Sequence, residues 1–420
     1  MKALLVPVGS RGDVQPQLLL GAELLRRGHA VTIAAPPDFG AATKEFGFRF
    51  VPIGEPIAEL LVRHSGMTEQ HPVAALPAQI AMLRKATRHT VRDLFAAEHD
   101  VDVIVSAGLS FGGQMLADKL GVPHVFCCYT LSAMHSAAHA PAVVPAFGLP
   151  KLVNRALWGG FISLFELGLG GVLNDLRREV GLKPYRGSWL AIHGSEVLLA
   201  QDEVIGHLPS DVPGRNLQVP AIVAPMAQRP LPDLLERFLR GAGDGSAASS
   251  PVVYLGFGSM PSVDRGRVMQ IARELFEQHG ARVVLYLPGA ETEHSELPAG
   301  VFATGDVDHT ALFPRVDLIV HHGGAGTTAT ALRAGVPQLV VPHIVDQFFH
   351  GRRVAELGIG PAPVPKAKLD SAAIAAALTR RFDYWAKAQN VRASVVAEGG
   401  AARAAAHLEE LAKAPSHVGG

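Results

Sequence analysis

Twice along this chain, short apolar runs alternate with segments of helical period, and that rhythm leaves room for little besides βαβ units. KALLVPVG leads into VQPQLLLGAELLRRG and then AVTIAAP; after residue 250, PVVYLGFGSM leads into RVMQIARELFEQHG and then ARVVLYLPG. Unbroken apolar runs are what strands buried on both faces require, so parallel sheets covered by helices are expected. Between about Ser210 and Ser250 the pattern dissolves into SDVPGRNLQVP and GAGDGSAASS, the Pro, Gly and Ser content of loops and linkers. The expectation is an α/β chain of two Rossmann-like, doubly wound domains facing across a cleft, residues 1–215 and 216–390. A C-terminal helix over 391–414 would pack back on the first domain.

Composition narrows the function classes. Apolar residues make up 48% and charged residues 18%, which excludes a disordered or coiled-coil chain. Lys plus Arg and Asp plus Glu both number 38, so no bulk charge draws the protein to nucleic acid, and the expected ligand is a small molecule. Cys127 and Cys128 are adjacent and cannot build a disulfide framework, which suits a reducing cytoplasm. MKALLVPVGSRGD reads as a first buried strand rather than a signal peptide. ALWGGFISLFELGLGGVL, residues 156–173, carries one charge, Glu166, and five glycines. It reads as a buried or interfacial helix rather than a membrane span, and leaves peripheral membrane contact open.

The chemistry concentrates in VDLIVHHGGAGTTATALRAG. A strand ends at LIV, HHGGAGTT turns, and a helix follows, so the backbone N–H groups of its first turn point into the crevice at the carboxyl edge of the sheet. Glycines 323, 324 and 326 let the backbone approach a phosphate, Thr327 and Thr328 add hydroxyls, and the helix dipole adds partial positive charge. His322 can donate one more hydrogen bond, whereas His321 suits packing at the strand end. Downstream, VPHIVDQ places Asp346 and Gln347 at the same edge, where a carboxylate and an amide can hold sugar hydroxyls; Asp346 is equally suited to capping the next helix. An oxidoreductase reading fails on the first strand, which no GxGxxG follows, and on the second, AVTIAAPP, which ends without an acidic residue.

GSRGDVQPQLLLGAELLRRGH, YLGFGSM and VHHGGAGTTATALRAGVPQLVVPHIVDQFFHGRRVAELGIG together resemble the inverting, two-domain glycosyltransferases of the GT-B fold, in the branch of the glycopeptide-antibiotic and sterol glucosyltransferases. The resemblance implies a UDP- or dTDP-sugar donor on the C-terminal domain and a hydrophobic small-molecule acceptor on the N-terminal one, in a monomer or homodimer. The reaction needs one base, to take the acceptor proton, and one anion cradle for the departing diphosphate. Asp13 matches the aspartate expected to be that base, with Ser10 beside it. A carboxylate with a pKa of about 4 in water is a weak base, so an apolar cleft that raises it would help. Ser259 and Thr327 would join His322 at the diphosphate, and Val307 corresponds to a segment that contacts the nucleotide base through its backbone. Thr330 stands where another branch places a glutamate on the ribose, which leaves UDP and dTDP undecided. No cofactor or metal is expected. A nucleotide-sugar epimerase or hydrolase, or a non-catalytic binder, would share the same cradle.

Overall fold

The computed structural model describes residues 1–57, 59, 72–193, 196–226, 230–241, 250–258, 264–287, 297–395 and 399–413. Seven parallel strands form the first sheet: β1 (Lys2–Val8), β2 (Ala30–Ala35), β3 (Arg49–Pro52), β4 (Val103–Gly108), β5 (His124–Cys128), β6 (Glu196–Ala200) and β7 (Arg215–Val219), in the order β3-β2-β1-β4-β5-β6-β7. Five form the second: β8 (Val252–Gly256), β9 (Arg282–Tyr286), β10 (Val301–Thr304), β11 (Leu318–His321) and β12 (Gln338–Val340), in the order β10-β9-β8-β11-β12. Both are doubly wound, and each reverses direction beside its first strand. At such a switch point the loops part and leave a crevice at the carboxyl ends of the strands.

Five helices matter for the site: α1 (Arg11–Arg26), α2 (Lys151–Glu179), α3 (Ala325–Ala334), α4 (Gln347–Glu356) and α5 (Gly400–Lys413). β1, with Leu4, Leu5 and Val6 wholly buried, is covered on one face by Val14, Leu18 and Leu24 of α1. The second core gathers Val253, Leu255, Val283, Leu318 and Leu339 of the other sheet.

The expected boundary after residue 215 is corrected. β7 pairs with β6 from Arg215 to Val219, so it belongs to the first sheet, and Ile222 still lies in the first core. Met226 already packs against the second domain's Leu231 and Phe238 cluster. The crossing therefore falls between Ile222 and Met226. At the other end, a helix over Arg381–Ser394 spans the expected limit at 390, and the last helix starts at Gly400 rather than 391. That helix, α5, does return to the first domain: Ala404, Ala405 and Leu408 complete its core, and Glu409 pairs with Arg27 and His29.

The apolar stretch at 156–173 lies within α2, the one helix among the described residues long and apolar enough to cross a membrane, with 33% of its most apolar window buried. Trp158 is buried against His135 and His139, at ring distances of 5.3 and 6.2 Å, while Leu152, Leu164 and Leu167 are exposed.

Candidate active site

β1 leaves the sheet through Gly9 and enters α1 with Ser10 as N-cap. Asp13 is the third residue of the helix, so it does not serve as the N-cap. Its Oδ2 accepts the Ser10 N–H at 2.8 Å and the Ser10 hydroxyl at 3.2 Å, while Ser10 Oγ accepts the Gly12 N–H at 3.3 Å, closing a reciprocal capping box. Ser10 thus orients the carboxylate. Two glycines wall that carboxylate. A Cβ on Gly9 would run into it, and one on Gly108, at the end of β4 with φ +64°, would stand 2.8 Å from Oδ1. Gly108 is a site residue that sequence reasoning missed; its only local signal is a glycine closing an apolar strand.

This setting raises the Asp13 pKa to about 6. Burial is the chief cause, opposed by the two Ser10 hydrogen bonds and assisted by the charge of Asp346. Such a carboxylate is ionised at neutral pH and is a better base than one in water. Tyr129 donates to the Asp13 carbonyl at 3.1 Å and Gln17 donates to Tyr129 at 2.9 Å, so the first turn of α1 is tied to the end of β5.

Opposite lies the start of α3. Gly324 is its N-cap without a side-chain cap, so the N–H groups of the first turn are left to a ligand. The three glycines have different duties. Gly323 has φ +92°, and a Cβ there would come 2.7 Å from Val340; a Cβ on Gly324 would come 2.5 Å from the His322 ring. Gly326 alone of the three has open space above it. Gly323 and Gly324 therefore serve packing, and Gly326 is where an anion can approach the backbone. Thr327 is partly exposed in that same turn. Thr328, expected to help it, instead donates to the Gly324 carbonyl at 2.9 Å and is buried, and Thr330 donates to Gly326 at 2.8 Å.

His322 has a pKa lowered to about 4, mainly by burial and next by His343, so its ring is neutral at pH 7 and offers one N–H. Its Nδ1 is buried and has no hydrogen-bond partner among the described residues. His321 is wholly buried, joined to Gln338 at 3.0 Å and accepting the Gly323 N–H at 3.1 Å, which is structural work. His350, also missed from sequence, donates from Nδ1 to the Gly323 carbonyl at 2.8 Å and stands 3.6 Å from Asp346.

Asp346 heads α4 without making a side-chain cap, and burial raises its pKa. Its charge reaches Asp13 across the cleft. Gln347 is buried, and its Oε1 accepts the His343 and Ile344 N–H groups at 2.7 and 3.1 Å, holding the loop that presents Asp346. Val345 in that loop has φ +39°, a strained value for a β-branched residue, and such strain persists only where neighbours enforce it. Val307 follows β10, its side chain packed at the edge of the second domain's core. Ser259 lies outside the described residues. Across the cleft mouth, Arg11 bonds Asp306 at 2.6 Å.

Comparison with known proteins gives this arrangement relatives. Residues 3–130 match the glycosyltransferase family 28 N-terminal domain, and residues 274–411 match the erythromycin biosynthesis protein CIII-like C-terminal domain. Glycosyltransferase GtfE of Amycolatopsis orientalis is 35% identical, covering 96% of each chain. Vancomycin aglycone glucosyltransferase of the same organism is 32% identical over 98% of each. Among solved structures, glycosyltransferase VinC in complex with dTDP superimposes with a TM-score of 0.68 at 22% identity, covering 98% of this chain and all (100%) of that one.

Proposed function

This chain belongs to the glycosyltransferase family of the glycopeptide-antibiotic enzymes, and from that premise we propose that it moves a hexose or deoxyhexose from a UDP- or dTDP-sugar to a hydroxyl of a hydrophobic small molecule, with inversion and without a metal. The observation that carries this reading is the carboxylate of Asp13, lifted to a pKa of about 6, at the switch point facing the open helix start at Gly326. Asp13 takes the acceptor proton as the acceptor oxygen bonds to the anomeric carbon. The bond from that carbon to the diphosphate breaks, and the diphosphate leaves with the electron pair. Its charge is met by the N–H groups and dipole of α3, by Thr327 and by the neutral His322. Asp346 holds a sugar hydroxyl. Supporting the nucleotide is the neighbour solved with dTDP, and by the family resemblance the backbone of Val307, in the turn after β10, contacts its base. The apolar surroundings of Phe126, Met134 and Trp189 beside Cys128 favour a hydrophobic acceptor.

The test is acceptor-dependent release of diphosphate in EDTA, with the anomeric configuration of the product read by NMR. An inverted product formed in EDTA supports the reading. A retained configuration, or turnover restored only by added divalent cation, would sink it.

A further inference from the structure

The second turn point of interest lies at the opposite end of α3 from the cradle. Arg333, in the last turn, is buried and makes a bidentate pair with Asp202 of the first domain: Nη1 to Oδ2 at 2.7 Å and Nη2 to Oδ1 at 2.9 Å, the side chains 3% and 5% exposed. Nη1 also donates to the Ala329 carbonyl at 3.1 Å, which fixes the guanidinium to its own helix. Asp202 is equally well held. It follows β6, and its Oδ1 takes the Ala221 N–H at 3.3 Å. The preceding Gln201 accepts the Leu131 N–H at 3.0 Å, in the loop after β5 whose Tyr129 bonds Asp13. Arg353 of α4 donates to the Ile205 and Val204 carbonyls on the same loop, at 2.6 and 3.2 Å. One loop of the first domain therefore receives both helices that carry the donor-side residues.

An interdomain cavity of about 30 Å³ lies around this joint, lined by Gly12, Pro16, Tyr129, Asp202, Gly326 and Thr328. That cavity lies between the first turn of α1, with Gly12 and Pro16, and the first turn of α3, with Gly326 and Thr328. Packing between those turns is interrupted by the cavity, so contacts elsewhere can share in setting their separation. A planar, two-bond ion pair out of water is suited to that, because it holds one geometry and tolerates little displacement.

We propose that Asp202 and Arg333 are a positioning pair for transfer: by locking the far end of α3 to the loop after β6, they set the separation between the diphosphate cradle and Asp13. This rests on the reading of Asp13 as base and of α3 as cradle. The charged atoms are spent on each other, with the side chains 3% and 5% exposed, so the pair acts through α3 on turnover and leaves donor affinity alone.

Single truncations would strand a buried charge and could fail to fold. The test therefore uses R333K, which keeps the charge and loses the fork, and the apolar pair D202L/R333M. Expected in both is binding of thymidine or uridine diphosphate within about threefold of wild type, an unchanged donor KM, and a kcat lower by about tenfold to a hundredfold, as displacement of reacting groups by an ångström produces. Wild-type kcat in the apolar pair well below its Tm would overturn the proposal, as would diphosphate affinity falling in step with kcat. A second readout needs no turnover. Cys127 and Cys128 are buried, so spin labels on K44C and K368C, exposed positions of the two domains, report the interdomain distance. The distribution should be narrow in the wild-type background and broader with D202L/R333M; an unchanged width also overturns it. A wild-type chain that binds diphosphate and transfers nothing defeats the functional reading alone, and the label distances then decide the pair.

Discussion

Asp13 is held so that ionisation opposes folding and serves chemistry. Its folded pKa of about 6 lies above the 3.8 of the unfolded chain, so the folded state favours the protonated form. That contribution to stability is full below about pH 4 and is lost as pH rises through 6. D13N cannot ionise, so its Tm should match wild type near pH 4 and exceed it at pH 8, while transfer falls by about a thousandfold and diphosphate binding persists. A D13N enzyme with near wild-type turnover would place the base elsewhere. The same shift predicts that kcat/KM climbs through about pH 6 to a plateau, and a climb centred near 4 would deny the burial effect. At α3, G326A should fold normally and weaken diphosphate binding about tenfold, since its methyl enters open space over the cradle; G323A should instead cost about 1–3 kcal/mol of stability, being strained at φ +92°. Equal effects in the two variants, by isothermal titration and urea unfolding, would contradict that division of labour.

Among the elements, α3 combines two roles along ten residues: cradle at its N-terminus, interdomain anchor at its last turn. Gly326 and Thr327 suggest the proposed cradle by their types. Arg333 announces nothing, because an arginine near a helix C-terminus ordinarily caps carbonyls or faces solvent. α5 is similar. Its alanine-rich pattern marks a helix, yet only packing shows that Leu408, with no exposed surface, sits in the core of the distant first domain. L408A should therefore destabilise the first domain by about 2–5 kcal/mol and leave diphosphate binding to the folded protein intact, as urea titration with and without the nucleotide would reveal. A change below about 0.5 kcal/mol would mean that α5 is not part of that core.

For the whole molecule, two sheets place their switch points face to face, and the first domain is closed by α5, the last helix among the described residues. Donor binding should raise the Tm with the logarithm of ligand over Kd, adding about 2.7 kcal/mol of stability at a hundredfold excess, whether or not EDTA is present. Thermal shifts with UDP, dTDP and NAD check this and choose the nucleotide. A shift with NAD alone would contradict the cradle as described.

Fold class and the two-sheet plan were legible in the residues themselves, because hydrophobic period and turn chemistry are local and are written wherever the chain passes; the same local signals singled out Asp13 and the glycine-rich turn before α3, whose roles as base and cradle are the proposal made above. What stayed hidden were pairings of single residues far apart in the chain: Gly108 against Asp13, Asp202 against Arg333, and Arg11 against Asp306. Thr328 was misjudged for a related reason, since a polar side chain at the right edge turns toward ligand or backbone according to which unpaired group lies nearest. Sequence determined which groups were available. Strand order and domain closure decided which of them met, and burial at those meetings set the charge state of the base.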